Sequence, residues 1–511
     1  MTESSIKFLI GGNSDCQVLQ NAKMSNRHGL ITGATGTGKT ITLQTLAESF
    51  SKNGVPVFLA DVKGDISGLA KPAKPHAKVE ERIKTINIKN YQARAFPAVF
   101  WDFYGNKGHP LRTTVSEIGP LLWSSLLELN DTQTGVLYAC FKVADENGWL
   151  LLDLKDLRSM LIWIGDNTAE LKSEYGNISK SSLGAIQRKL IVLEEQDAEL
   201  FLGEPGINLD DLIHNDFSGN GIINIFDASK IIQQSPRLYA TFLLWLLSEL
   251  FENLPEVGDL EKPKFVLFFD EAHLLFDNAP KVLVDKIEQV VRLIRSKGVG
   301  IYFVTQSPLD VPEEILGQLG LKIQHALRAF TPKDKKTVKI VAETFPENPN
   351  IDTEKCITEL GIGEALVSVL NEKGQPTPVE RILIRPPESR IGPMSDDERA
   401  EHIKRSPYSG RYDVEVDRES AYEILKKRAE NNELARENEA QAKEQEKLRA
   451  AKEKKEAKSR QTSRGQKTRS PSRGRKRQSA TESFFKSAAR AIGSQLGRSI
   501  IRGVLGSISK K

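Results

Sequence analysis

Seven short, nearly continuous apolar runs recur between residues 29 and 329: Gly29–Thr32, Val55–Asp61, Ala98–Asp102, Gly221–Phe226, Phe265–Asp270, Gly300–Thr305 and Lys322–Ala329. Runs of this length without polar alternation predict the central strands of a parallel sheet covered on both faces. The longer segments between them predict crossover helices, so the expected class is α/β. From about 111 to 215 the pattern turns helical. Val115–Leu129, Gln133–Glu146, Leu154–Gly165 and Ser181–Glu195 carry apolar residues three to four positions apart, which predicts a helical insertion. Two short strands, Ile6–Ile10 and Gln17–Leu19, are expected ahead of the first run, and a last pair at Glu364–Leu370 and Val379–Ile384. Arg385-Pro386-Pro387 then ends regular structure.

The expected organisation is short N-terminal strands over 1–28, an α/β core over 29–110 and 216–390, and the helical insertion over 111–215. A charged helical or linker region over 391–458, a basic disordered segment over 459–482 and an amphipathic C-terminal helix over 483–511 complete it. The longest apolar run, Leu238–Leu247, is about half of a membrane span and reads as a buried helix. The first 24 residues hold no charged leader followed by an apolar core, so no secretory signal is expected; with the scattered cysteines this points to a cytoplasmic address, nucleoid or membrane association staying open.

Charge changes this picture more than composition does. Net charge is +4 over 511 residues, but Ala421–Lys511 holds 25 Lys/Arg against 10 Asp/Glu, which leaves the first 420 residues at −11. An acidic body thus carries a basic tail. From Lys458 onward there are 15 Lys/Arg and one acid, Glu482, a composition that binds phosphate backbones without sequence preference. The last 27 residues mix Phe484, Phe485, Ile492, Leu496 and Ile500 with arginines, which fits a membrane surface or a partner protein equally well. Cys16, Cys140 and Cys356 are far apart and seven histidines are scattered, so neither a disulfide framework nor a zinc cage is indicated.

The candidate chemistry lies where strands end. Gly33-Ala34-Thr35-Gly36-Thr37-Gly38-Lys39-Thr40 fits GxxxxGK[ST], between a strand and a helix. Such a loop cradles the phosphates of ATP with backbone amides, sets Lys39 on the β and γ phosphates and offers the Thr40 hydroxyl to Mg²⁺. Phe265–Phe269 then delivers Asp270 and Glu271 to the C-terminal edge of the sheet. Asp270 suits the metal. Glu271 suits polarisation of a water, which a hydrolase needs. Gln306, ending the next run, either senses the γ-phosphate or orients the water. Asp61, in Asp61-Val62-Lys63-Gly64-Asp65, either supports the metal site or begins a plain turn. Arg292, Arg295 and Arg328 follow the acidic pair in the chain. Arg295 or Arg328 reaching a neighbour's site would stabilise developing charge, and each reads equally as a surface ion-pair residue.

In this order, the loop with Lys63-Gly64-Asp65, Asp270-Glu271-Ala272-His273, Arg295-Ser296-Lys297-Gly298 and Thr305-Gln306-Ser307-Pro308 resembles the HerA-like ATPases of the FtsK–HerA division of P-loop motors. It is most similar to their bacterial YjgR-type branch, over about residues 20–420. The resemblance implies a RecA-like core, ATP and Mg²⁺ as cofactors, hexameric rings with shared sites, and movement of double-stranded DNA. It makes Asp270 and Glu271 the Walker B pair, Gln306 the sensor and Arg295 the leading arginine acting in trans. HerA proteins proper carry a β-barrel ahead of the phosphate loop, which begins here at residue 33, so assembly through such a barrel is not expected. An ATPase acting on protein or at a membrane, and a nucleotide-dependent scaffold, stay open as alternatives; Glu271 argues against the scaffold.

Overall fold

A computed structural model describes residues 6–277 and 281–462. Its strands are β1 (Lys7–Gly12), β2 (Gln17–Asn21), β3 (Gly29–Thr32), β4 (Val57–Asp61), β5 (Ala98–Asp102) and β6 (His109–Pro110). The second half supplies β7 (Ile223–Asp227), β8 (Phe265–Phe269), β9 (Val299–Thr305), β10 (Leu321–Gln324), β11 (Glu364–Ser368) and β12 (Glu380–Ile384). They join in one sheet of order β2-β1-β12-β11-β10-β3-β9-β8-β4-β7-β5-β6. The eight strands from β10 to β6 run parallel, and β11, β12, β1 and β2 extend the sheet antiparallel.

The apolar runs form central strands because both sides of each are covered. Along β4, Phe58 and Ala60 face one core while Val57 and Leu59 face the other. The first core packs the sheet against the helices Val115–Leu126, Asp131–Asn147, Leu154–Asp166, Lys180–Glu194, Pro236–Asn253 and Lys281–Leu293. The second packs it against the helix Lys39–Lys52, with Phe8 and Ile10 of β1 contributing from the sheet side. The run Leu238–Leu247 is indeed a buried helix.

Four neighbouring strands, β8, β4, β7 and β5, deliver an aspartate to the same edge: Asp270, Asp61, Asp227 and Asp102. Asp61 accepts backbone N–H bonds from Gly64 (2.7 Å), Asp65 (3.2 Å) and Ile66 (3.0 Å). Asp102 accepts from the backbones of Tyr104, Asn106 and Lys107. Asp227 accepts from Ser229 and pairs with Arg399 at 3.0 Å. Each fixes the turn that follows its own strand.

After β12 the chain crosses the helix Lys39–Lys52. Glu48 of that helix, fully buried, accepts from Arg385 Nη2 (3.0 Å), from the N–H groups of Glu388 (3.0 Å) and Ser389 (2.9 Å), and from Ser389 Oγ (2.6 Å). A buried carboxylate is tolerable only with such a full set of donors. Further on, Tyr408 and Tyr412 bury their rings against Trp101, at centroid separations of 5.5 and 5.3 Å. Residues through Glu430 form one compact unit and Asn431 begins a second. The helix Ala421–Thr462 is exposed from Lys426 through Lys454. Residues 463–511, with most of the basic segment and the expected amphipathic helix 483–511, lie outside the described residues.

Candidate active site

The site assembles at the C-terminal edge of β3, β9 and β8, which are consecutive in the sheet. Thr32 pairs in register with Thr305, and Phe269 with Phe303. The residues that follow, Gly33, Gln306 and Asp270, therefore emerge side by side, Gln306 between the loop and the acids.

The loop Gly33–Thr40 joins β3 to the helix Lys39–Lys52. Gly33, at φ 150°, admits no side chain: a Cβ there would come within 2.5 Å of the His325 Cβ. Gly38, at φ 118°, occupies the N-cap, where no side chain caps the helix. The first-turn amides are left to an external acceptor, and the helix dipole adds positive potential there. Thr35 and Gly36 form the exposed tip, and Thr40 is half-buried. Lys39 is buried and donates to the carbonyls of Gly33 (2.5 Å) and Ala34 (3.2 Å). Burial and nearby Lys63 lower its pKa, while Glu271 and Asp270 work the other way.

The acidic pair differs from the other strand-end aspartates. Asp270 is buried, and its carboxylate accepts one bond, from the N–H of Glu271 at 2.9 Å. Burial first, then the charge of Glu271, push its pKa up to about 7, with Lys63 opposing. Glu271 adopts left-handed backbone angles, φ 48° and ψ 48°, which cost an L-residue about 1–2 kcal/mol. Its Oε2 is buried with no hydrogen-bond partner among the described residues; His273 Nδ1 lies 3.5 Å away. Tyr239 donates to the Asp270 carbonyl at 3.0 Å and holds the turn from behind.

Gln306 is exposed on a turn fixed by Asp310, which accepts from Thr305 Oγ1 (2.6 Å) and the Ser307 N–H (2.9 Å). Arg328 is exposed on the same edge, beyond β10. Arg295 is elsewhere. It precedes β9, at the opposite edge of the sheet, and pairs with Asp259 at 3.5 Å. Asp61 is committed to its turn, as its three backbone bonds require.

Three contributors carried no role in the sequence reading. His325, after β10, meets Thr42 Oγ1 with Nε2 (2.8 Å) and the Glu364 carbonyl with Nδ1 (2.8 Å), bracing the loop from behind. Its Nδ1 therefore carries the proton, and burial lowers its pKa to about 4. Gln324 accepts from Thr32 Oγ1 at 2.6 Å, locking the strand that enters the loop. Polar residues interrupting the run Lys322–Ala329 were the available signal. Lys63 acts on both Lys39 and Asp270 through its charge.

This donor set fits a triphosphate with a divalent cation. The uncapped first-turn amides and Lys39, whose Nζ rests on the loop carbonyls, suit the anion, and a buried carboxylate and a hydroxyl, Asp270 and Thr40, suit the cation. No group of three or more His, Cys, Asp or Glu side chains among the described residues suffices for a metal alone, so phosphate and water oxygens would complete its sphere.

The family model described as "Helicase HerA-like C-terminal" matches residues 7–511. The chain belongs to the HerA helicase family. It is 23% identical over 363 residues to the DNA double-strand break repair helicase HerA of Sulfolobus acidocaldarius, covering 70% of this chain and 65% of that protein. The protein of that name from Sulfurisphaera tokodaii is 23% identical over 378 residues, 72% and 67% of the two chains. The HerA-family match thus spans about two thirds of these relatives' length. Among solved structures, the bacterial conjugative coupling protein TrwB in an unbound form aligns at TM-score 0.49 and 15% identity, over 77% of this chain and 92% of that one. VirB4 of Thermoanaerobacter pseudethanolicus aligns at 0.48 and 18%, over 76% and 97%. No helix among the described residues of this HerA-family chain is long and apolar enough to cross a membrane.

Proposed function

We propose that this HerA-family chain is an ATP-hydrolysing motor that acts on double-stranded DNA. The observation that carries the hydrolytic half is Glu271: a buried carboxylate oxygen without a donor among the described residues, held in a strained turn with one strand between it and the phosphate loop. A carboxylate so placed accepts a proton from a water that attacks the γ-phosphate. Lys39 and the loop amides hold the phosphates, and Asp270 and Thr40 orient the cation. Held by Asp270 and Thr40, Mg²⁺ would offset the negative charge of the transferred phosphoryl group. Gln306 reads the γ-phosphate or steers the water. The DNA half draws on the names of the archaeal relatives and on the basic tail.

The reading includes a homo-oligomeric ring, hexameric as the family resemblance implies. The position of Arg295 opposite its own site suits action on a neighbouring subunit, and Arg328 is the second candidate. A second reading, action on protein or at a membrane surface, draws on the apolar-basic pattern of 483–511.

Steady-state ATP hydrolysis with and without linear duplex DNA, across a salt series and with Glu271→Gln as the blank, tests the proposal. Stimulation that fades with salt is expected. Hydrolysis indifferent to DNA would move the assignment to the second reading, and no hydrolysis above the blank would end both.

A further inference from the structure

The phosphate loop borders a cleft on the side of β3 away from the acids. It opens between Ala326–Phe330, which follows β10, and Thr358–Ile362, which precedes β11, with a volume of about 610 Å³. Thr37 of the loop forms part of its wall. Both banks are tied to the loop: the Ala34 N–H donates to the Ala326 carbonyl, and the Gly363 N–H to the Thr37 carbonyl, each at 2.9 Å. The floor is apolar, with Ala326, Leu327, Val338 and Leu360 buried. Two large apolar side chains stand out of the core on the rim, Phe330 at 83% exposure and Ile362 at 76%. Arg328 and Lys335 also line it. A lone exposed phenylalanine is ordinary, but this one overlooks a hollow of small-ligand size whose far end is the phosphate loop.

A triphosphate on this loop has two distinct ends. Glu271 and Gln306 lie on the β9–β8 side, so the γ end faces them. The nucleoside end then leaves toward β10 and β11. We infer that this cleft receives the base and ribose of the nucleotide, a purine stacking on the Phe330 ring while Arg328 and Lys335 flank the sugar and α-phosphate. The inference rests on the reading of Gly33–Thr40 as a nucleotide site. The base is held by dispersion and by its π-face, so the cleft confers affinity without strict choice among purines.

Calorimetric binding of Mg-ADP and of Mg-pyrophosphate, which shares the phosphates but has no base, separates base recognition from phosphate recognition. In the full chain, Phe330→Ala weakens ADP about ten-fold and leaves pyrophosphate unchanged, as loss of one aromatic stack predicts. Lys39→Ala weakens both. Because Phe330 is exposed, its variants do not disturb the core. Phe330→Trp supplies a second readout: its fluorescence is quenched by ADP and not by pyrophosphate. Equal ADP affinity in wild type and Phe330→Ala, loss of both ligands together in Phe330→Ala, or no selective quenching in Phe330→Trp would each overturn the assignment of the cleft. Failure of the wild type to bind either ligand would instead overturn the nucleotide reading of the loop, and the cleft with it.

Discussion

Asp61 and Asp270 stand at the ends of adjacent parallel strands, both buried and both pushed above the usual carboxylate range by burial, to about 6 and about 7. Asp61 accepts three backbone N–H bonds from the turn it begins. Asp270 accepts one and is followed by a glutamate with an oxygen that has no donor among the described residues. Position on the sheet is therefore not what makes an acid available for chemistry. Asp102, farther along the same edge, repeats the pattern of Asp61, whereas Asp227 accepts one backbone bond and the Ser229 hydroxyl and turns its other oxygen to Arg399. What separates structural from reactive carboxylates here is how many partners, backbone amides or a buried arginine, the surroundings have already supplied.

The sharpest way to break this contrast is at Glu271. Glu271→Gln should lower kcat for ATP hydrolysis by about 10²–10⁴-fold with nucleotide affinity retained, measured by steady-state kinetics beside calorimetry. Wild-type turnover would show that the donorless oxygen has no catalytic part. Asp61→Asn is the counterpart. It should cost about 1–3 kcal/mol in urea unfolding, because an amide NH2 in place of Oδ2 leaves the Ile66 N–H without its acceptor, while turnover per folded molecule stays within about two-fold.

A smaller, pH-dependent effect belongs to Asp270. Its folded pKa lies above the unfolded value, so the folded state holds the proton more tightly. Ionising it removes stability as pH climbs from about 4 to about 7, and the full penalty remains above that. Asp270→Asn should therefore gain on wild type, without nucleotide or Mg²⁺, by about 2 °C or more in Tm between pH 5.5 and pH 8. An equal difference at both pH values would remove burial as the cause. The smallest stability change is expected at Arg295, whose pairing with Asp259 is solvent-exposed: Arg295→Ala should alter unfolding by under about 1 kcal/mol. Its separate signature is complementation. Mixing Arg295→Ala with Glu271→Gln should restore part of the hydrolysis that each lacks alone, since one subunit's arginine would serve the other's intact acid.

The sheet was legible because its strands are continuous apolar runs, and β3, β5 and β8 fall within a residue of the expected bounds. The run Lys322–Ala329 proved harder: β10 stops at Gln324, and the rest becomes the His325 brace and a cleft wall. The two-residue β6 has no pattern to read. The helix Ala77–Ile86 buries only Ile86, so its polar sequence hid it. In the site, Gly33–Thr40 and Asp270-Glu271 are local motifs, visible because backbone geometry and neighbours in sequence dictate them. His325 and Arg385 were not visible, since their partners Thr42 and Glu48 lie 283 and 337 residues away in the chain. Tyr408 and Tyr412 were masked by the charge around them, though both enter the core.

The strand β9 carries Gln306 at one end and follows directly from the turn that bears Arg295 at the other. Seven extended residues separate the two ends by roughly 23 Å. Every one of them is buried, and β3 and β8 hold the strand from both sides. A rod clamped this way neither stretches nor slips by itself. The buried strand therefore fixes the distance between the phosphate edge and the opposite edge, and a tilt of one end could not occur without the other.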